Sequence, residues 1–182
     1  MRTIVFSHAN SFPAGVYRVL FDIWRDAGFD VKALPRYGHD PRFPVTNNWP
    51  HLRDQLLEFI AAHVSEPAVL VGHSLGGMVG PAYARKYPQH VKTLSLWSTA
   101  AFRTEDDSAK VKGVVAAMRA KGIPQVLEAL KDRWFTPEFA ARRPDVIERR
   151  MQQVIDTDPD VFLSVFDIYA ETEMAPWLHE VK

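Results

Sequence analysis

Residues 67–78 read PAVLVGHSLGGM. An apolar, partly β-branched run, Ala68 to Val71, ends in Gly-His-Ser-Leu-Gly, and MVGPAYARKY follows at helical spacing. A short apolar run bounded by turn residues suits a buried strand. Strand, G-x-S-x-G and helix in that order describe a sharp turn that lifts a serine hydroxyl clear of a sheet. The chemistry of such a turn calls for small neighbours. Gly72 and Gly76 avoid clashes between the turn and its surroundings, and Gly77 lets the helix approach the strand closely. Ser74 then lies at a helix N-terminus, where unpaired N–H groups favour developing negative charge, and the Leu75 N–H is a natural oxyanion donor. The plain alternative is that the glycines serve packing alone and Ser74 caps the helix.

Working outward, strand and helix alternate up to about residue 100. RTIVFSHA is a strand ending in a polar turn. SFPAGVYRVLFDIWRDAGF is a helix with Val16, Tyr17, Leu20, Phe21 and Trp24 on one stripe, and Gly28 stands at its C-terminal cap. DVKALPRYGHD is a second strand running into a loop. NNWPHLRDQLLEFIAAHV is a helix capped by Asn48, with Pro50 in its first turn and Leu52, Leu56, Phe59 and Ile60 buried. HVKTLSLWSTA is a fourth strand. Such alternation implies crossover connections and a parallel sheet covered on both faces. After Phe102 the strand signal stops and four helices are expected, which divides the chain into an α/β part, 1–102, and a helical part, 103–182.

Composition narrows the function classes. The 22 Lys and Arg balance 22 Asp and Glu, so no basic face is available for a nucleic-acid backbone. The 47% hydrophobic content supports a packed core. With no cysteine, disulfides, thiolate nucleophiles and zinc–thiolate sites drop out together. The N-terminal apolar run is too short for a signal peptide, and no segment reaches membrane-spanning length. The cytoplasm is the expected compartment. No histidine pairs with a carboxylate at metal-ligand spacing, so neither a metal nor another cofactor is expected.

Two elements together carry a family resemblance. GHSLG and, at the end of the first strand, SHANSFPAG resemble the α/β-hydrolase superfamily, where that strand ends in His-Gly-x and supplies an oxyanion N–H. His8 takes the histidine's place as a structural ring, Ala9 replaces the glycine, and Asn10 falls on the donor position. PRYGHD resembles the family's loop after the next strand, and its His39 and Asp40 carry no catalytic duty. His73 is expected to point away from substrate. RWFTPEF and the stretch around VIDTDPDVFLSVFDIYAETEMAPWL resemble the cap of the enol-lactonase and esterase branch. The resemblance implies an α/β fold with a mostly parallel sheet of about four strands, order 4-3-5-6 in family numbering, flanking helices and a helical cap. It implies a small carboxylic ester or lactone as substrate, Ser74 as nucleophile, and the Asn10 and Leu75 N–H groups as oxyanion hole. Trp97, Phe102, Met118, Trp134, Phe135 and Trp177 are the candidates for lining the acyl pocket.

The family orders its triad Ser, then Asp or Glu, then His, with the last two on strands after the cap. Here the corresponding stretch ends at MAPWLHEVK, with His179 the only downstream histidine. The expectation is an incomplete fold whose acid and base come from outside this segment, so that residues 1–182 alone turn over weakly or not at all. A complementary C-terminal fragment, or a second copy pairing along the exposed edge TLSLWS, would be the partner. Three origins stand open: one piece of a co-assembled hydrolase, a truncated or engineered form, and a natural short form. Perhydrolysis or carbon–carbon cleavage would use the same triad. From another class, the alternative is a non-catalytic hydrolase-like scaffold or fragment that binds a ligand or a partner.

Overall fold

The structure is a computed structural model that describes residues 2–10, 14–35, 37–38, 40, 44–46, 48–64 and 66–181. The side chains of Ala14 and Leu56 lie outside that description, as does His39. Four strands, β1 (Arg2–Ser7), β2 (Phe29–Ala33), β3 (Ala68–His73) and β4 (Val91–Trp97), form one parallel sheet in the order β2-β1-β3-β4. This is the order expected from the sequence. Helices α1 (Arg18–Asp26), α2 (Trp49–His63) and α3 (Gly76–Lys86) fill the crossovers.

Strand periodicity sorts the side chains into two cores. Ile4, Phe6, Val31 and Val71 face α1 and pack with Tyr17 and Phe21. Val5 and Leu70 face the other way, onto Leu52, Leu57 and Ile60 of α2 and Met78, Val79 and Tyr83 of α3. The element boundaries follow from local chemistry. Gly28 takes φ +83 just past α1, and its N–H bonds the Arg25 carbonyl at 2.9 Å. The Asn48 side chain accepts the His51 N–H at 3.0 Å at the start of α2. Val16 departs from its expected stripe: a 3₁₀ turn over Ala14–Tyr17 winds more tightly than an α-turn, and Val16 is left 43% exposed.

Beyond residue 103 the described chain is helical: α4 (Glu105–Lys121), α5 (Ile123–Trp134), α6 (Pro137–Arg142), α7 (Pro144–Ile155), α8 (Pro159–Glu171) and α9 (Ala175–Leu178). The sequence reading expects four of these; α6 and α9 are short additions. Thr136 caps α6 by accepting the Phe139 N–H, and Pro137 occupies its first turn. Helix α8 joins the two parts. Its Val161, Val165 and Ile168 enter the core shared with α2 and α3, while Phe162 and Leu163 complete a separate core with Val115, Met118, Leu127 and Val154. A polar clasp closes the base of this layer. The buried Arg103 side chain donates to the Tyr169 and Thr172 carbonyls and stacks on the Tyr169 ring, and the Arg103 N–H donates to Glu173 at 2.8 Å. No helix among the described residues is long and apolar enough to cross a membrane.

Candidate active site

Register places the site. Ser7 pairs with Gly72 and His73 with Trp97, so β1, β3 and β4 end at a common level, and their outgoing turns meet there. Ser74 is the first residue beyond β3. Its φ of +54 lies in the left-handed region that L-residues avoid, at a cost of roughly 1–2 kcal/mol. The turn is held from three directions. The Ser74 N–H donates to the Trp97 carbonyl at 2.9 Å, and its carbonyl accepts the Gly77 N–H at 2.9 Å and the Thr99 hydroxyl at 3.1 Å.

Space explains the glycines. A Cβ on Gly72 would lie 2.3 Å from the Gly76 carbonyl oxygen, one on Gly76 would lie 2.0 Å from the Ser7 oxygen, and one on Gly77 would lie 1.6 Å from the Thr99 hydroxyl. The start of α3 therefore presses against the end of β1 at backbone distance. Among the described residues the Leu75 N–H and the Ser74 hydroxyl have no hydrogen-bond partner.

A cavity of about 910 Å³ opens over these turns. Ala9, Asn10, His73, Ser74, Leu75 and Ser98 form its floor, and α5, α7 and α8 supply its walls and roof. Two of the six pocket candidates, Trp134 and Phe135, border it. The other four lie elsewhere, which corrects their expected placement. Trp97 shares the sheet face of its partner His73, turned toward α1, with its ring 6.1 Å from Phe6 and 6.0 Å from Trp24. Phe102 is 77% exposed, and Met118 is buried within the helical layer's own core. Trp177 packs on the core below α9 with the Arg85 guanidinium over its ring.

Asn10 borders the same cavity as Ser74. Its side-chain amide donates to the Phe162 carbonyl at 3.3 Å, tying the β1 turn to α8. His8 lies within hydrogen-bond distance of the Ala9 and Pro35 carbonyls, bridging two loops. His73 borders the cavity, and its ring Nδ1 lies 2.8 Å from the Tyr17 hydroxyl. Burial, followed by the nearby Arg150 charge, holds the His73 pKa below its ordinary value. Burial pushes the Tyr17 hydroxyl up to about 12, partly offset by its bond to the Ala9 N–H and by Arg150. Tyr17 thus stays protonated, accepts from Ala9 at 3.4 Å and donates to a neutral His73.

The sequence reading missed Tyr17, Ser98, Thr99 and Arg150 as site residues. Ser98 also takes a left-handed φ, +48, at the end of β4. Arg150 carried a signal: it stands on the same helical stripe as buried Ile147 and Val154, where a charge needs a reason. Tyr17 and Thr99 carried none. Among the described residues no three His, Asp or Glu side chains gather where a metal could sit.

A parallel sheet, a left-handed serine between strand and helix, and a cavity over the strand ends are features of one fold family. The chain matches the alpha/beta hydrolase family over residues 4–181 and belongs to it. It is 25% identical over 136 residues to the 3-oxoadipate enol-lactonase 2 of Acinetobacter baylyi, covering 72% of this chain and 50% of that protein. A hydrolase from Pseudomonas aeruginosa superposes with a TM-score of 0.81 at 21% identity, covering 100% of this chain and 68% of its own. The enol-lactonase from Burkholderia xenovorans gives 0.80 at 20% identity, with 100% and 69% covered. The chain thus spans half the length of that curated relative and about two thirds of the two solved structures.

Proposed function

We propose that this chain carries the nucleophile half of a serine hydrolase acting on a small carboxylic ester or lactone, with residues 103–182 as its cap. The observation that carries the proposal is Ser74: a left-handed serine at the floor of a large cavity, with the Leu75 N–H beside it. The Ser74 hydroxyl attacks the substrate carbonyl carbon and gives its proton to a histidine base. The carbonyl oxygen becomes an oxyanion held by the Leu75 and Asn10 N–H groups. Collapse expels the alcohol, or opens the lactone, as the histidine returns the proton, and water then releases the acyl group by the reverse proton path. Losing one oxyanion donor costs about 3–4 kcal/mol of transition-state stabilisation.

The base and its acid come from outside residues 1–182 in this reading. His73 is engaged with Tyr17, His90 lies 3.1 Å from the Tyr83 hydroxyl, His63 bonds its own helix, and His179 lies at the end of α9 on the surface. The names of the similar proteins, an enol-lactonase among them, favour the ester or lactone class.

A fluorophosphonate probe tests the reading. One equivalent should attach to Ser74 in the full-length protein and none to Ser74→Ala. A folded full-length preparation that stays unlabelled would overturn it. The second reading, a non-catalytic scaffold that accepts a partner strand, draws on β4: it pairs with β3 on one side, and Leu96 is exposed. Absence of labelling together with a stable complex along β4 would favour that scaffold.

A further inference from the structure

The Tyr17 hydroxyl lies where packing asks only for an apolar ring. That ring stands 4.5 Å from Phe6 and 6.1 Å from Phe21, in a core whose other buried members are Ile4, Val31 and Val71. The ring of a phenylalanine would fill the same space. The hydroxyl is therefore buried against a desolvation cost that hydrogen bonds must offset. Two of its contacts reach the two halves of the site. It lies 2.8 Å from His73 Nδ1, and it accepts the Ala9 N–H over a longer 3.4 Å. His73 is the residue before Ser74, and Ala9 is the residue before Asn10.

Peptide planarity carries these contacts onward. In a trans peptide the Ala9 carbonyl and the Asn10 N–H share one plane and point opposite ways. That carbonyl faces His8 Nδ1 at 3.0 Å, while the N–H on the other side of Ala9 is held by Tyr17. What holds Ala9 therefore aims the Asn10 N–H. At the second turn, the Ser74 N–H on the Trp97 carbonyl anchors the backbone toward β4, and the His73 ring anchors it toward α1 through Tyr17. Tyr17 belongs to neither turn; it closes the 3₁₀ turn from which α1 starts. Burial pushes its hydroxyl up to about 12, partly offset by the Ala9 N–H and by Arg150, so the O–H remains a donor throughout the neutral range. We propose that Tyr17 is a positioning residue for the oxyanion site: one hydroxyl, bonded to the residues that precede Asn10 and Ser74, sets the separation between the Asn10 and Leu75 N–H groups. The role rests on the reading of Ser74 as nucleophile. Tyr17 acts through Ala9 and His73, on the spacing of two donors that must reach one oxygen together.

Tyr17→Phe removes the hydroxyl and keeps the ring. On the full-length protein, with p-nitrophenyl acetate as the probe ester, kcat should fall about tenfold and KM stay within about twofold, a share of the roughly hundredfold loss that a 1 Å misplacement brings. An alkyl trifluoromethyl ketone reads the same donors without turnover. The Ser74 oxygen adds to its carbonyl carbon, the proton passes to the base, and the carbonyl oxygen stays as an oxyanion between the two N–H groups. Its affinity should fall by the same factor as kcat/KM. Exchange of the Ala9 amide proton, followed by NMR, should quicken. Phe21→Leu is the control: it loosens the same core and lowers Tm, and below the melt it should keep the parental kcat and ketone affinity. Parental kcat and ketone affinity in a folded Tyr17→Phe, with Ser74→Ala inactive, overturn the positioning role and leave the nucleophile in place. Equal losses in Tyr17→Phe and Phe21→Leu overturn it as well, because packing alone then accounts for them. A parent protein that neither turns over the ester nor takes up the fluorophosphonate overturns the nucleophile reading and the positioning role together.

Discussion

Gly76 is where the end of β1, which leads into Asn10, meets the start of α3, which Leu75 caps, and Gly76→Ala should separate them. The added Cβ would lie 2.0 Å from the Ser7 carbonyl oxygen, 2.4 Å from the carbonyl carbon and 2.8 Å from the Ser7 Cβ. Real Cβ atoms essentially never approach another atom within 3.0 Å, and the obstructing atoms are mostly backbone. The start of α3 and the end of β1 must therefore part by about 1 Å, a strain of roughly 1–3 kcal/mol. In a domain of this size that lowers Tm by several degrees, at roughly 2–4 °C per kcal/mol. The same displacement pulls apart the two N–H groups proposed to hold the oxyanion, and misplacement by 1 Å costs about a hundredfold in rate. Gly113→Ala is the matched control. It sits exposed within α4 with nothing within 4 Å of its new Cβ, and should gain about 0.5–1 kcal/mol. Differential scanning calorimetry and the fluorophosphonate labelling rate of the full-length protein read both variants. If Gly76→Ala melts with the parent and labels Ser74 at the parental rate, the close approach of α3 to β1 does not organise the site.

Three further outcomes rest on the same packing. Ser74→Gly should be more stable than Ser74→Ala by about 1 kcal/mol in urea unfolding, because only glycine relieves the strain of φ +54; equal stability would mean that the turn is not strained. Arg103→Met should destabilise by roughly 2–3 kcal/mol, because it leaves the Tyr169 and Thr172 carbonyls without their guanidinium donor, while Glu173 keeps the backbone N–H groups of residues 103, 174 and 175. Arg103→Lys should recover only part of the loss, and a parental urea midpoint in Arg103→Met would remove the clasp from the account. For His73, whose folded pKa lies below its ordinary 6.5, the unfolded chain takes up the proton first as pH falls. Stability should be unaffected above pH 6.5 and decline below it until the folded pKa is passed, and His73→Gln should flatten that part of the urea-midpoint profile.

The sheet was legible because its determinants are local. Four short apolar runs, each followed by turn residues and a helical stripe, fix strand number and parallel pairing, and the spacing of Gly72, Gly76 and Gly77 around Ser74 marks where strand passes to helix. Asn10 was legible only through the resemblance of SHANSFPAG, since an asparagine in a turn has many uses. The pocket lining was read poorly for a physical reason. Large aromatic side chains are apolar whether they face a cavity, a core or solvent, and strand parity sends Trp97 to the α1 side while Phe102 stands exposed on the connection to α4. The two short helices α6 and α9 fall below the length at which periodicity is visible.

The sequence by itself determined the alternation of strand and helix, the parallel sheet and the place of the sharp turn, through patterns that neighbouring residues share, and the strand order through the family resemblance those patterns carry. Tertiary structure alone decided that Ser98 and Arg150, from the turn after β4 and from α7, border the same cavity as Asn10 and Ser74, and that burial beside Arg150 lowers the His73 pKa. Those groups are brought together by packing across tens of residues, and nothing within any one segment encodes the distance between them.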